Sequence, residues 1–490
     1  MKKRVSCLMI CILFLFCAFP ACIAEQGAAG GEKVSGSYSY QIQADGTAMI
    51  TLYDGVDVQL TVPTEIDGIS VTAIGPSAFE KGKGKDNIME VVIPEGIVSL
   101  GDYAFRWCSE LNRISLPLSL EEIGLNPFAG CDSLATIEIS VEHPHIRLIN
   151  SVLYSLDDLR LVSYSKLRKK GPFELPRAIR IIGASAFYEC DNITELVIPT
   201  ADDNRKGSSL TAIGRRAFYQ CSNLRSINLQ DANISTIGVE AFAGCSSLDG
   251  LAFPSEVTSI ADRAFENCTG LTELTLPETI TSIGEMAFRK CSGLTSVHLP
   301  QGVTAIGKNT FAGCERLTEV TLPEDLSYIG GGAFQGCEKL KKLELPDTLS
   351  YIGSEAFDGC TDLEEVRIPD TCGFIGANAF RSCMSLKGIV LPSHVYKINP
   401  GTFSGCSSLT EVTLPEDLEE IGETAFLYCV SLKSIEIPDP VEVIGSKAFS
   451  SCLALESVVL PEDLEVIWRD TFEGCELLTD LPDLSDMYED

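Results

Sequence analysis

Cysteine, histidine and the carboxylates are the side chains here that could do chemistry, and their spacing decides which chemistry. Twenty cysteines would suit a disulfide framework, a thiolate metal centre or a nucleophile. Fifteen of them recur at one position of a repeating unit, from Cys108 to Cys475. Four lie before residue 25, and Cys372 stands alone. An odd number of thiols in register is a poor disulfide set, and no C-x-x-C pair gives the clustered spacing a metal needs. The pattern predicts buried structural thiols. Stacked coils lie about 4.8 Å apart, which leaves a few disulfides within reach.

The histidines are His143, His145, His298 and His394. His143 and His145 flank Pro144 and supply half a metal site at most; polar loop residues are the plainer reading. His298 falls on an outward strand position, in water. No H-E-x-x-H, no local Ser-His-Asp signature and no phosphate-binding glycine loop occurs. Carboxylates are abundant enough for a glycosidase pair, yet they recur at equivalent positions of successive units, as solvating residues do. One column reads Glu278, Gln301, Glu324, Asp347, Asp370, Ser393, Glu416, Asp439 and Glu462. Stacked at coil spacing it could recruit Ca²⁺; a solubilising edge that discourages strand pairing is the simpler expectation. The expected site is therefore one without catalytic residues, cofactor or metal, and with its binding residues unassigned.

The elements that position these side chains repeat. Phe242, Phe265, Phe288, Phe311, Phe334, Phe357, Phe380, Phe403, Phe426, Phe449 and Phe472 sit 23 residues apart, and Phe79, Phe105, Phe128, Phe187 and Phe218 continue the pattern upstream with insertions. In the unit from Cys406 to Phe426, Val412, Thr413 and Leu414 alternate inward, outward, inward as a short strand. Pro415 ends the strand, since it has no N–H to donate. Leu418, Ile421, Ala425 and Phe426 return apolar atoms to the core. One coil is too small to bury its own core, so the coils depend on their neighbours. Gly precedes the Phe by four residues in 13 of 16 units, the exceptions being Ala261, Asn399 and Trp468. A left-handed or a crowded turn would explain it. Trp468, in the last full unit, is placed to cap the open end. The outward strand positions, Thr275, His298, Thr321, Glu344, Arg367, Val390, Thr413, Glu436 and Val459, carry no run of Trp, Tyr or Arg and announce no tight partner.

Four segments follow. Residues 1–24 read as a signal peptide: Lys2, Lys3 and Arg4, then an apolar stretch, then Cys22-Ile23-Ala24 before the cleavage point. A lipoprotein anchored at Cys22 is the alternative, although Phe19-Pro20-Ala21 departs from the usual lipobox; an uncleaved membrane anchor is disfavoured by Pro20 and by length. Residues 25–66 form a β-hairpin cap, with Asp45-Gly46 as its turn. Residues 67–477 are the solenoid, interrupted by an inserted hairpin over about 145–172 with its turn at Ser155 to Asp158. Ala201 to Ser208 reads as a surface loop, and residues 478–490 as an acidic tail. The net charge of −32 argues against nucleic acid and anionic lipid as partners. Against that background Arg160, Lys166, Arg168, Lys169, Lys170, Arg177 and Arg180 form a basic cluster, able to dock an acidic partner or simply to solvate the insertion.

The recurring pattern, as in Ala333-Phe334 through Cys337, Leu340, Leu343, Leu345 and Pro346, resembles the BspA-like leucine-rich repeats of secreted and surface bacterial proteins. Tyr40 to Ala48, Asp67-Gly68 and Val152 to Ser155 resemble that family's opening and inserted hairpin. The resemblance covers roughly residues 36–477. It implies a right-handed α/β-type solenoid or horseshoe of 23-residue coils. Short parallel strands would line one face and short helical or irregular segments the other. In such repeats the Cys position meets backbone groups at a turn. The implied role is a secreted or cell-surface binding protein, an adhesin or interaction scaffold for extracellular proteins or glycans. It would have no nucleic acid partner and no membrane span after signal cleavage. A self-associating structural surface protein is the alternative.

Overall fold

The computed structural model describes residues 31–200, 209–462, 464–479 and 488–489. The expected signal segment, the expected Ala201–Ser208 loop and most of the expected tail lie outside these residues. Each regular coil carries two short parallel strands. One is the expected strand before the proline, as in Glu273–Thr275, Ser296–His298 and Glu319–Thr321, paired coil to coil in register. The other was not expected: Ala305–Ile306, Tyr328–Ile329, Tyr351–Ile352 and Phe374–Ile375 form a second parallel ladder. The β-branched Ile at its second residue is buried in each.

Of the short helical or irregular segments expected on the other face, the described residues show the irregular kind. Among the described residues the one helix is the three-residue 3₁₀ turn Leu229–Asp231. The wall that carries Ala and Phe is made of turns instead. Its N–H groups alternate in use. Glu240, Phe242 and Gly244 donate forward to Asp262, Ala264 and Glu266 of the next coil, at 3.0, 2.8 and 2.7 Å. Ala241, Ala243 and Cys245 close turns onto Gly238, Glu240 and Phe242. Six consecutive backbone donors, 240–245, are thereby satisfied without a helix.

This wall relocates the left-handed residues. Positive φ falls two residues before and two after the Phe, as at Glu240 (54°), Gly244 (79°), Met286 (58°) and Lys290 (59°). The glycine four residues before the Phe does not have it. That glycine answers to crowding: a Cβ on Gly284 or Gly376 would lie 2.4 or 2.3 Å from a backbone nitrogen of the preceding coil. Trp468 occupies the same column within a strand, Val466–Trp468, whose outer edge pairs with Tyr488–Glu489.

Two stacks of coils, each with its own core, meet at the insertion. In the first, Tyr53, Phe79, Phe105 and Phe128 form one ring column. In the second, rings run from Tyr164 through Phe187 to Phe472, stacked at 5.1–5.7 Å from Phe218 onward. A tyrosine heads each column. Tyr53 and Tyr164 donate their N–H to Ala78 and Ala186 at 2.8 Å, as Phe242 does to Ala264 and Phe288 to Thr310, the residue before the next Phe. Each tyrosine ends the last strand of an antiparallel unit: Tyr38–Ile42 with Ala48–Tyr53, and Ile146–Ile149, Val152–Ser155 and Arg160–Tyr164. The inserted unit is buried on both faces. Leu153 and Val162 pack into the first core, while Val152, Tyr154, Leu161 and Tyr164 pack into the second.

Candidate recognition surface at the joint

The thiols come first, because they are the most numerous reactive groups. All fifteen in the ladder are unpaired, and each donates to the carbonyl of the ring residue one coil back, as Cys291 does to Phe265 at 3.2 Å and Cys337 to Phe311 at 3.3 Å. At the insertion Cys190 donates to Tyr164. Burial pushes the Cys291 and Cys406 thiols up to about 12, so the reactive thiolate is suppressed. Cys372 is also buried and donates to Phe374. The ladder is structural.

The histidine pair is equally local. His143 is 1% exposed; its Nδ1 accepts from the His145 and Ile146 N–H groups and its Nε2–H donates to the Pro117 carbonyl at 3.0 Å. Burial lowers its pKa. His145 faces Asp157 at 3.2 Å. His298 is exposed, with Glu278 at 3.9 Å. The acidic column is exposed throughout, and Glu278 and Gln301 accept backbone N–H bonds from the next coil at 3.3 and 3.1 Å. Among the described residues no three His, Cys, Asp or Glu side chains converge as a metal would need. The outward strand positions from Thr275 to Val459 are all exposed.

The basic cluster divides. Arg160 bonds the Ile123 and Gly124 carbonyls at 2.7 and 3.3 Å and pairs with Asp158 at 2.8 Å. Its bond to Ile123 thus occupies an acceptor that the next strand of the ladder would have used. Lys166 lies between Asp132 and Glu189. Burial alone would lower its pKa, yet the two carboxylates hold it above the ordinary lysine value. Arg168 lies over the Tyr164 and Phe173 rings and donates to the Asn150 carbonyl. Arg177 reaches the Thr200 carbonyl at 3.0 Å. Lys169, Lys170 and Arg180 are exposed.

Symmetry breaks most sharply on the outer side of the Ala-Phe wall, where the two stacks touch. Tyr103 Oη lies 3.3 Å from Ser185 Oγ, and Asn126 donates to the Ser185 carbonyl. In most regular coils the two residues after the Phe are small or polar, some carrying ion pairs such as Arg289–Glu266 and Arg381–Asp358, with Leu427 and the exposed Tyr428 as the exception. At the joint they include Arg106, Trp107, Tyr188 and Tyr219. Tyr188 and Tyr219 stack at 5.3 Å, and the Trp107 indole reaches the Tyr188 hydroxyl. Trp107 is 41% exposed and covers Gly130, where a Cβ would meet its ring at 2.4 Å. Arg106 lies 4.3 Å from the Trp107 ring centre and Arg216 lies 5.4 Å from that of Tyr219. Glu80 and Glu240 pair with these two arginines and fix them over the rings. Trp, Tyr and Arg in one rigid patch are the residue types that dominate protein hot spots. Sequence reading aligned the strand face and missed this column. Its signal was available: the residue after Phe is Tyr only in the two units that follow the insertion.

Fold and surface together define a leucine-rich repeat solenoid. The chain belongs to the BspA-type leucine-rich repeat family, whose model matches residues 72–167, 163–293, 258–387 and 373–485. A leucine-rich repeat protein of Bacteroides ovatus is 27% identical, with a TM-score of 0.52, over 84% of this chain and 99% of that one. A leucine-rich cell-surface protein of Faecalibacterium prausnitzii is 21% identical, with a TM-score of 0.35, over 92% and 94%. The pneumococcal vaccine antigen PcpA is 17% identical, with a TM-score of 0.32, over 88% and 99%. No curated protein matches the chain. No helix among the described residues is long and apolar enough to cross a membrane.

Proposed function

We infer that this protein is an extracellular interaction scaffold, secreted or held at the cell surface, which binds a host or microbial protein or glycan and catalyses nothing. The observation that carries the reading is the Trp107, Tyr188 and Tyr219 cluster with Arg106 and Arg216 fixed over its rings. Placing such residues on a joint held by specific latches gives a partner a rigid, unrepeated epitope. The basic n-region and cleavage site before Glu25 support export, and the family resemblance supports an adhesin-like role. The test is retention of the purified chain on an array of extracellular-matrix proteins, mucins and glycans. Trp107→Ala with Tyr219→Ala should weaken a specific hit by about a hundredfold, as hot-spot truncations do. Retention unchanged by both substitutions would sink the reading.

A second reading, self-association, rests on a separate strip. Tyr328, Tyr351 and Phe374 stack at 4.8 and 4.7 Å on the outer face of the second ladder, Tyr328 and Phe374 are each 40% exposed, and Tyr396 lies beyond them at 51%. An exposed aromatic strip of this kind marks an interface. Light scattering that rises with concentration, and falls back in Tyr351→Ser with Phe374→Ser, is the result expected of it.

A further inference from the structure

Beside the aromatic cluster, the Cys corner of four successive coils is hollowed into an open groove of about 750 Å³. It spans about 15 Å along the stack at roughly 4.8 Å per coil. All ten side chains that line it are polar: three cationic, three anionic and four neutral. We propose that this groove binds an uncharged oligosaccharide, a ligand class that gives the scaffold reading a specific partner and rests on that reading.

The lining selects by exclusion and by fit. It offers no apolar side chain, so a hydrophobic ligand gains little there. Its charges balance, and the chain around it carries −32, so a polyanion is repelled as it approaches. A cation finds no convergent set of carboxylates. Sugar hydroxyls both donate and accept, and the groove supplies both kinds of group. Asp191 accepts and the exposed Lys170 donates, while Gln220 and Asn223 do either.

The amides are held rigidly. Asn192 Nδ2 donates to the Ser165 and Arg168 carbonyls, both at 3.0 Å, and Asn223 Nδ2 donates to the Asp191 carbonyl at 2.8 Å. That fixes the two amides at the corner, with Asn192 Oδ1 buried beneath the surface and without a partner. Among the fifteen Cys corners, Asn stands two residues after the Cys only at 192 and 223. Tyr188 and Tyr219 precede the groove residues Glu189 and Gln220 in sequence and stack on each other.

The test is calorimetry on the purified chain with short neutral gluco-, manno-, galacto- and N-acetylglucosamine oligosaccharides, and with a heparin fragment and an acidic peptide as contrasts. At least one neutral sugar should bind saturably, with little change between about 50 and 500 mM salt. Lys170→Ala and Gln220→Asn should each weaken it by about tenfold at unchanged melting temperature. Asn suits the left-handed backbone of Gln220 (φ 57°), so that variant shortens the side chain without straining the fold. Thr413→Ala on the strand face should change nothing. Binding of heparin or the peptide alone, binding abolished by salt, indifference to both groove variants, or no heat from any neutral sugar at about millimolar concentration would each overturn the proposal. If a matrix protein is retained through Trp107 and Tyr219 while no sugar binds, the scaffold reading stands and the groove proposal falls.

Discussion

The regular run from Phe242 to Phe472 and the joint from Asn126 to Asn223 use the same coil and differ in how often each contact is used. In the run, the ring stack, the thiol-to-carbonyl bond and the wall ladder recur at every coil. In the joint, Arg160 on the Ile123 and Gly124 carbonyls, Asn126 on Ser185, and Lys166 between Asp132 and Glu189 each occur once. Repetition makes the run cooperative. Contacts made once give the joint an identity, at the cost of being breakable one at a time.

Four substitutions probe that contrast. The largest effect is expected in the run. Phe334→Ala opens the ring column at its middle and should cost about 3–5 kcal/mol in denaturant unfolding. Because neighbours share the loss, the second stack should still unfold in one transition, and a split transition would contradict that cooperativity. Arg160→Ala should cost less, about 1–3 kcal/mol for the two acceptors it orphans. Its signature is local: hydrogen exchange should rise at residues 122–124 and 160–182 and stay unchanged beyond Phe265. A uniform rise would erase the distinction between the regions.

The joint should also be the region sensitive to mild acid. His143 is buried neutral with a lowered pKa, whereas the unfolded chain binds that proton near pH 6.5. Its contribution is full above that pH and is lost as pH falls through the window down to the depressed folded value. Protection factors at 143–146, which correct for the slower intrinsic exchange in acid, should therefore fall between pH 7 and 5 in the natural chain, and far less in His143→Gln. The smallest effect is expected from a single thiol. Cys337→Ala should cost about 1 kcal/mol, and alkylation of the native protein should spare Cys337 while modifying Cys475, which is 9% exposed. Labelling of Cys337 at the same rate would contradict the burial argument.

Period, inward Phe and buried thiols were legible because they are the same in every unit. The second ladder was not, since its strands are two residues long and leave too short an alternation to read. The left-handed positions were hidden because Glu240, Met286 and Lys290 occupy them, so the expected glycine signal pointed to a crowded column instead. Tyr164 lies 23 residues before Phe187 and so was in register, but a search keyed to Phe passes over it. The joint surface was obscured for a related reason: Trp107 and Tyr188 come together through residues absent from the repeat.

The tyrosine-headed hairpin at Tyr164 has one more consequence. It restarts the array from a fixed origin, and beyond Phe242 each coil meets the next in the same way. Whole 23-residue units could therefore be gained or lost there without disturbing the joint. Each would move the far end by one rise, about 4.8 Å. The distance between the two ends is thus a counted quantity, and copy number acts as the ruler that sets how far the joint stands from whatever lies at the other end.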